Sequence, residues 1–130
     1  MQTQPIVGSD VILGVLANLN CHKFVAEQNK IHHVIFQAHR HYAILKNYFV
    51  FQPTAVYSYS RSLEVAVDIL RNSRVIQYDS DDYLVYTLTP MGKIIADDYL
   101  SRFTAEEKRE LEEIAEIFEQ ECGVPIFAHA

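Results

Sequence analysis

A mainly α chain carrying one small β-hairpin, class α+β, is predicted by three features between residues 60 and 92. Ser60 precedes a stretch in which Leu63, Ala66, Val67 and Leu70 recur at helical spacing, so it caps a helix running to about Ser73. Two short apolar runs follow, Val75-Ile76-Gln77-Tyr78 and Tyr83-Leu84-Val85-Tyr86-Thr87-Leu88, joined by the acidic turn Asp79-Ser80-Asp81-Asp82. Thr89-Pro90 then opens another helix, since proline at the first helical position gives up no hydrogen bond. The order is helix, hairpin, helix.

Length and composition fit this class. At 130 residues and 49% hydrophobic, the chain is expected to form one domain, residues 1–130, with a substantial core. Four Gly and four Pro argue against a disordered or fibrous chain. No apolar run approaches the ~20 residues of a membrane span, so no membrane partner is expected. Met1-Gln2-Thr3-Gln4-Pro5 lacks the basic flank of a secretory signal. Cys21 and Cys122 are far apart and without metal-type spacing, which predicts reduced thiols and a cytoplasmic location.

The remaining elements follow in order. Ser9-Asp10 offers N-cap chemistry for a helix over residues 9–20, apolar around most of its circumference through Val11, Ile12, Leu13, Val15, Leu16 and Leu19. Asn20-Cys21-His22 breaks it. From Phe24 to Lys46 the spacing of Ile31, Val34, Ile35, Ala38, Tyr42 and Leu45 predicts one long amphipathic helix, with Lys30, His33, Gln37 and Arg40 on its other face. Tyr48-Phe49-Val50-Phe51 is compatible with a short strand or a tight apolar connection, and residues 53–59 read as a loop beginning at Pro53. After the hairpin, Ile94, Ile95, Tyr99 and Phe103 are expected on the buried side of the penultimate helix. Thr104 and Glu107 form a capping box for the last one, residues 105–122. Leu111, Ile114, Ala115, Phe118 and Cys122 make its apolar stripe, Gly123 follows its end, and residues 124–130 read as a tail.

The net charge of −6 is unevenly distributed. Residues 104–122 hold eight Glu against Lys108 and Arg109, a net −6 by themselves. Residues 23–74 hold Lys23, Lys30, Arg40, Lys46, Arg61, Arg71 and Arg74 against Glu27, Glu64 and Asp68, a net +4. A basic middle and an acidic end suit either a polyanion-binding face opposite a solvated one or an ordinary mixed surface.

The pattern Leu63, Leu70, Val75-Ile76, then Tyr86-Thr87-Leu88-Thr89 and Gly92 resembles the winged helix-turn-helix superfamily, especially small regulators of the MarR and PadR kind. The resemblance covers about a quarter of the chain and implies a recognition helix and wing over residues 60–88. It departs from the family in the long helix preceding Ser60 and in the wing, where Asp79, Asp81 and Asp82 stand where Arg or Lys is usual. Phe49-Val50-Phe51, Tyr57-Ser58-Tyr59-Ser60 and Leu63 are also loosely similar to Panacea antitoxin modules.

No catalytic constellation stands out, and an enzyme is not expected. His32, His33, His39 and His41 lie within ten residues but contain no i, i+4 pair and no neighbouring carboxylate or thiolate at ligand spacing, so no metal and no cofactor is predicted. The Asp79 to Asp82 turn lacks the spaced oxygens of a calcium loop. Ser58, Ser60 and Ser62 have no nucleophile elbow. The leading expectation, carried by the resemblance, is a DNA-binding transcriptional regulator acting as a homodimer on double-stranded DNA. Ser58, Tyr59, Arg61, Ser62 and Arg71 would be its recognition element, and Arg40 and Lys46 would meet the phosphate backbone. Leu13, Leu16, Leu111, Ile114 and Phe118 are the expected dimerisation residues. The alternative is a winged-helix module that binds another protein and not DNA.

Overall fold

A computed structural model describes residues 5–21 and 23–124. The order is α1 (Gly8–Ala17), β1 (Lys23–Val25), α2 (Gln28–His39), α3 (Ala43–Lys46), β2 (Gln52–Pro53), β3 (Ser58–Tyr59), α4 (Arg61–Asn72), β4 (Ile76–Tyr78), β5 (Val85–Leu88), α5 (Pro90–Tyr99), a 3-10 turn Leu100–Arg102, and α6 (Ala105–Cys122). An antiparallel sheet of order β1-β5-β4 and a separate β2–β3 ladder complete an α+β architecture.

α1 is the centre of the molecule. Seven consecutive residues, Val11 to Ala17, are buried, and α4, α5 and α6 all pack on it. With apolar groups on every side, no single partner could cover the helix. Its start is held by the Asp10 carboxylate, which accepts the Val7 N–H at 3.0 Å and faces Arg102 at 3.8 Å. At its end, the Lys93 ammonium donates to the Ala17 carbonyl at 2.6 Å, a cation at the negative pole of the helix. α6 approaches closely because Gly14 has no side chain, and a Cβ there would lie 2.8 Å from Leu111 Cδ1. The packing leaves a cavity of about 20 Å³ among residues such as Ile12, Leu16, Phe24, Val67 and Phe118.

This arrangement corrects the expected dimer interface. Leu13, Leu16, Leu111, Ile114 and Phe118 are 4%, 1%, 0%, 0% and 4% exposed within one chain. The apolar surface that suggested a second copy is covered by the chain's own helices.

The single helix expected from Phe24 to Lys46 is also corrected. Residues 23–25 form β1, in register Lys23↔Thr87, Phe24↔Tyr86 and Val25↔Val85. Phe24 packs its ring against Tyr86 at 5.7 Å and edge-on to Phe118 at 5.4 Å, and this long-range packing overrides the local periodicity. The helical part is α2, which stops at His39; Tyr42 is extended and starts α3. Tyr48 to Phe51 form a connection rather than a strand, while the expected loop 53–59 contains the β2–β3 ladder, Gln52↔Tyr59 and Pro53↔Ser58. Thr54 closes its turn, accepting the Val56 and Tyr57 N–H groups at 3.2 and 3.0 Å.

The segment 60–92 folds as its sequence predicts, with local differences. Ser60 Oγ accepts the Leu63 N–H at 3.2 Å, and Thr89 Oγ1 accepts the Gly92 N–H at 2.9 Å. The second strand is shorter than expected, leaving Tyr83 and Leu84 in the turn, 81% and 62% exposed. Ile94, expected in the core, is 71% exposed, because the residues that α5 buries are Gly92 and Ala96 instead. The Thr104–Glu107 capping box is formed in both directions, at 3.1 and 2.8 Å. Val124 is part of the fold, donating to the Lys23 carbonyl at 3.0 Å, while residues 125–130 of the expected tail lie outside the described residues.

Two junctions are exacting. α4 ends in a Schellman motif, with Val75 N–H on the Leu70 carbonyl and Arg74 N–H on the Arg71 carbonyl, which puts Arg74 at φ 62°. Arg74→Gly should remove this left-handed strain and stabilise the chain by about 1 kcal/mol in denaturant melts. Gly92 lies against β4, so that a Cβ would sit 2.3 Å from the Val75 carbonyl oxygen. Gly92→Ala should therefore cost about 2 kcal/mol or more, because backbone rather than a flexible side chain must yield; an unchanged thermal midpoint would contradict this packing.

Candidate interaction surface

α4 turns Leu63, Ala66, Val67 and Leu70 inward and presents Arg61, Ser62, Val65, Ile69 and Asn72 outward. Val65 and Ile69, one turn apart, are 39% and 43% exposed, which puts apolar side chains at the centre of the outer face. The charges beside them are paired on the same helix. Arg61 lies 3.3 Å from Glu64, and Arg71 lies 2.9 Å from Asp68. Glu64 also accepts the Tyr59 hydroxyl at 2.9 Å, which raises the Tyr59 phenol above its ordinary range.

Arg71 turns toward the sheet and donates to the Tyr86 hydroxyl at 3.4 Å. Tyr86 is fully buried under the Tyr78 ring, centroids 4.9 Å apart. Burial, with Tyr78 beside it, pushes its phenol up to about 12.

The hairpin turn is organised by its own aspartates. Asp79 meets Lys23 at 2.9 Å, the Thr87 hydroxyl at 3.1 Å and the Asp81 N–H at 3.2 Å, and Asp82 accepts the Leu84 N–H at 2.9 Å. The bond from Lys23, with further donors behind it, holds the Asp79 carboxyl below the usual carboxylate range. Asp79 therefore ties the turn to β1, while Asp81 and Asp82 face solvent beside Tyr83 and Leu84.

The expected DNA-contacting residues separate into three places. Ser58, Tyr59, Arg61 and Ser62 cluster at the start of α4, where the Ser60 and Ser62 hydroxyls are 3.0 Å apart. Arg71 lies at the far end. Arg40 and Lys46 are exposed on the α2–α3 corner; Arg40 stacks over Phe36 at 4.7 Å, and no hydrogen bond, ion pair or ring contact joins either residue to α4 among the described residues. Val65 and Ile69 lie outside the charged pattern of α4, and their only signal in the sequence is an i, i+4 spacing opposite the buried stripe.

The histidines are dispersed. His32 is buried, His39 lies beside Phe36 and Phe51, and His33 and His41 are exposed. Among the described residues no group of three His, Cys, Asp or Glu could hold a metal ion, and no helix is long and apolar enough to cross a membrane. The glutamates of α6 are partly structural: Glu119 accepts the Asn20 N–H at 2.7 Å, and Glu113 accepts the Tyr42 hydroxyl at 3.2 Å. Comparison with known protein families, curated proteins and solved structures returns no match for this chain.

The depressed Asp79 carboxyl predicts a pH dependence of defined sign. A carboxyl lowered on folding stabilises the chain above its unfolded value of about 3.9, and that contribution is lost as pH falls through the folded value. Asp79→Asn should thus melt below wild type at pH 7, and the two curves should converge as pH falls through the lowered folded value. Tyr86 acts at the other extreme, since its contribution is complete below the ordinary tyrosine value of about 10 and fades as pH rises toward 12. Its phenolate absorbance should appear together with unfolding.

Proposed function

We propose that this chain is a winged-helix module that recognises another protein through the outer face of α4 and the β4–β5 wing. The winged-helix part of this reading is supported by the succession of capped helix α4, antiparallel hairpin β4–β5 and proline-started helix α5. The observation that carries the protein-binding part is the outer face of α4, where Val65 and Ile69 are uncovered while Arg61 and Arg71 are paired with Glu64 and Asp68. A helix reading duplex DNA needs donors and cations directed at base edges and phosphates. Exposed aliphatic and aromatic side chains are the kind that protein interfaces bury. The wing agrees, with Tyr83 and Leu84 exposed beside Asp81 and Asp82. Carboxylates near phosphate repel it by about 1 kcal/mol per close pair even in bulk water.

Binding of duplex DNA by a transcriptional regulator is the second reading. It is favoured by Arg61, whose side chain is 79% exposed at the start of α4. A homodimer, on either reading, would use the α4 and wing face, since the α1 and α6 stripes are covered. Two buried free thiols accord with a reducing, cytoplasmic setting.

Titration of nonspecific duplex at about 20 mM salt, where phosphate contacts are strongest, should show no retarded complex at tens of micromolar protein. A complex that Arg61→Ala weakens about tenfold would overturn the protein reading in favour of the duplex. Light scattering tests whether the partner is a second copy: a mass near twice 15.0 kDa, returned to monomer by Ile69→Glu, would place the interface on α4.

A further inference from the structure

We infer that the outer face of α2, together with the turn between β2 and β3, is a second docking surface, and that it takes an acidic peptide segment of another protein. Residues 28–63 contain no Asp or Glu, while Lys30, Arg40 and Lys46 fall within them. Lys30, His33, Gln37 and Arg40 recur at steps of three and four, which puts them on one side of the helix. All four are exposed, over about 15 Å of its length. Unlike Lys23, Arg61 and Arg71, which meet carboxylates, Lys30, Arg40 and Lys46 form no ion pair among the described residues.

At its N-terminal end this stripe borders a groove of about 290 Å³. Asn29, Lys30 and His33 line it with N–H donors, and their side chains make no hydrogen bond among the described residues. Val56, 78% exposed, and Tyr57 give the groove an apolar wall from the β2–β3 turn. Glu121 of α6 is the one carboxylate that lines it.

The mixture of groups selects the ligand. An acidic peptide brings carboxylates for Lys30 and Arg40 and an apolar side chain for Val56 and Tyr57. Its backbone N–H groups suit Glu121 and the amide oxygens of Asn29 and Gln37. Other polyanions ask for more charge than this face holds. Lipid-binding clusters carry about 4–8 Lys or Arg, and duplex binders commonly neutralise about 6–10 phosphates. Lys30, Arg40 and Lys46 fall short of both. This surface goes beyond the function proposed above, whose residues lie on α4 and the wing, and it stands or falls separately.

The test is nitrogen-15 NMR titration of the full chain with a random copolymer of Glu and Tyr. The salt is about 100 mM, where a Debye length of ~10 Å makes the local face count for more than the net charge. Amide shifts are expected at Lys30, His33, Arg40 and Tyr57, with Val65 and Ile69 unmoved. Lys30→Glu should weaken binding about tenfold, whereas Lys108→Glu, the same reversal at an exposed site on α6, should change it less than twofold. Glu121→Gln should tighten binding about threefold. No shifts at millimolar probe would overturn the proposal, as would equal losses from the two reversals or a loss from Glu121→Gln. Tighter binding of an oligothymidylate, or of vesicles of equal parts phosphatidylcholine and phosphatidylserine, would assign the face to nucleic acid or lipid instead. If Lys30→Glu does not fold, Arg40→Glu takes its place with the same expectation.

Discussion

The burial of α1 is the constraint on which the rest of the fold depends. A helix apolar on all sides must be surrounded, and with ten residues it offers only about 15 Å of length on which to seat its partners. Three helices reach it, each by a different device. α4 brings a regular apolar stripe, α6 approaches over Gly14, and α5 is tied to the end of α1 by Lys93 on the Ala17 carbonyl. The polar groups at the two ends of α1 hold it along its axis, with Asp10 and Arg102 at one end and Lys93 at the other. Enclosing α1 consumes the apolar faces of α1 and α6, and any association of this chain must therefore use other surfaces.

The sheet depends on that enclosure. Phe24 and Tyr86 join β1 and β5 to the core, and Phe118 of α6 closes over Phe24. Three short strands have little stability of their own, so their register is set by the helices beneath them and by the Lys23–Asp79 pair across the turn. The acidic turn is consequently more than a solvated connection. One aspartate fastens it to β1, another shapes its backbone through Leu84, and the exposed remainder sits beside Tyr83 and Leu84.

Charge segregation, conspicuous along the chain, has a divided explanation in space. Some glutamates of α6 are drawn into backbone and hydroxyl bonds with neighbouring segments, notably at Asn20 and Tyr42. Several cations of the middle segment are neutralised locally, Lys23 by Asp79, Arg61 by Glu64 and Arg71 by Asp68. Neutralisation leaves the apolar residues between them as the most distinctive feature of the outer face of α4.

By itself the sequence determined what rests on local chemistry. Ser60, Thr89-Pro90 and the Thr104–Glu107 box mark three helix starts, because caps act within three or four residues of chain. The hairpin between α4 and α5 was legible for the same reason, with Val75 and Tyr83-Leu84, at the starts of its two strands, falling outside them. Only the tertiary structure decided the features that depend on distant partners. Residues 23–25 became a strand because β5 lay ready to pair with them. Leu13, Leu16, Leu111, Ile114 and Phe118 became core rather than interface because α1 and α6 meet each other. The candidate site was half visible: its cations and tyrosines could be named, but which carboxylates neutralise them, and that Val65 and Ile69 stay uncovered, follow from side-chain geometry. His32 could be counted among four histidines, yet its carbonyl partners are 4 and 28 residues away, and only folding brings the second of them to the ring.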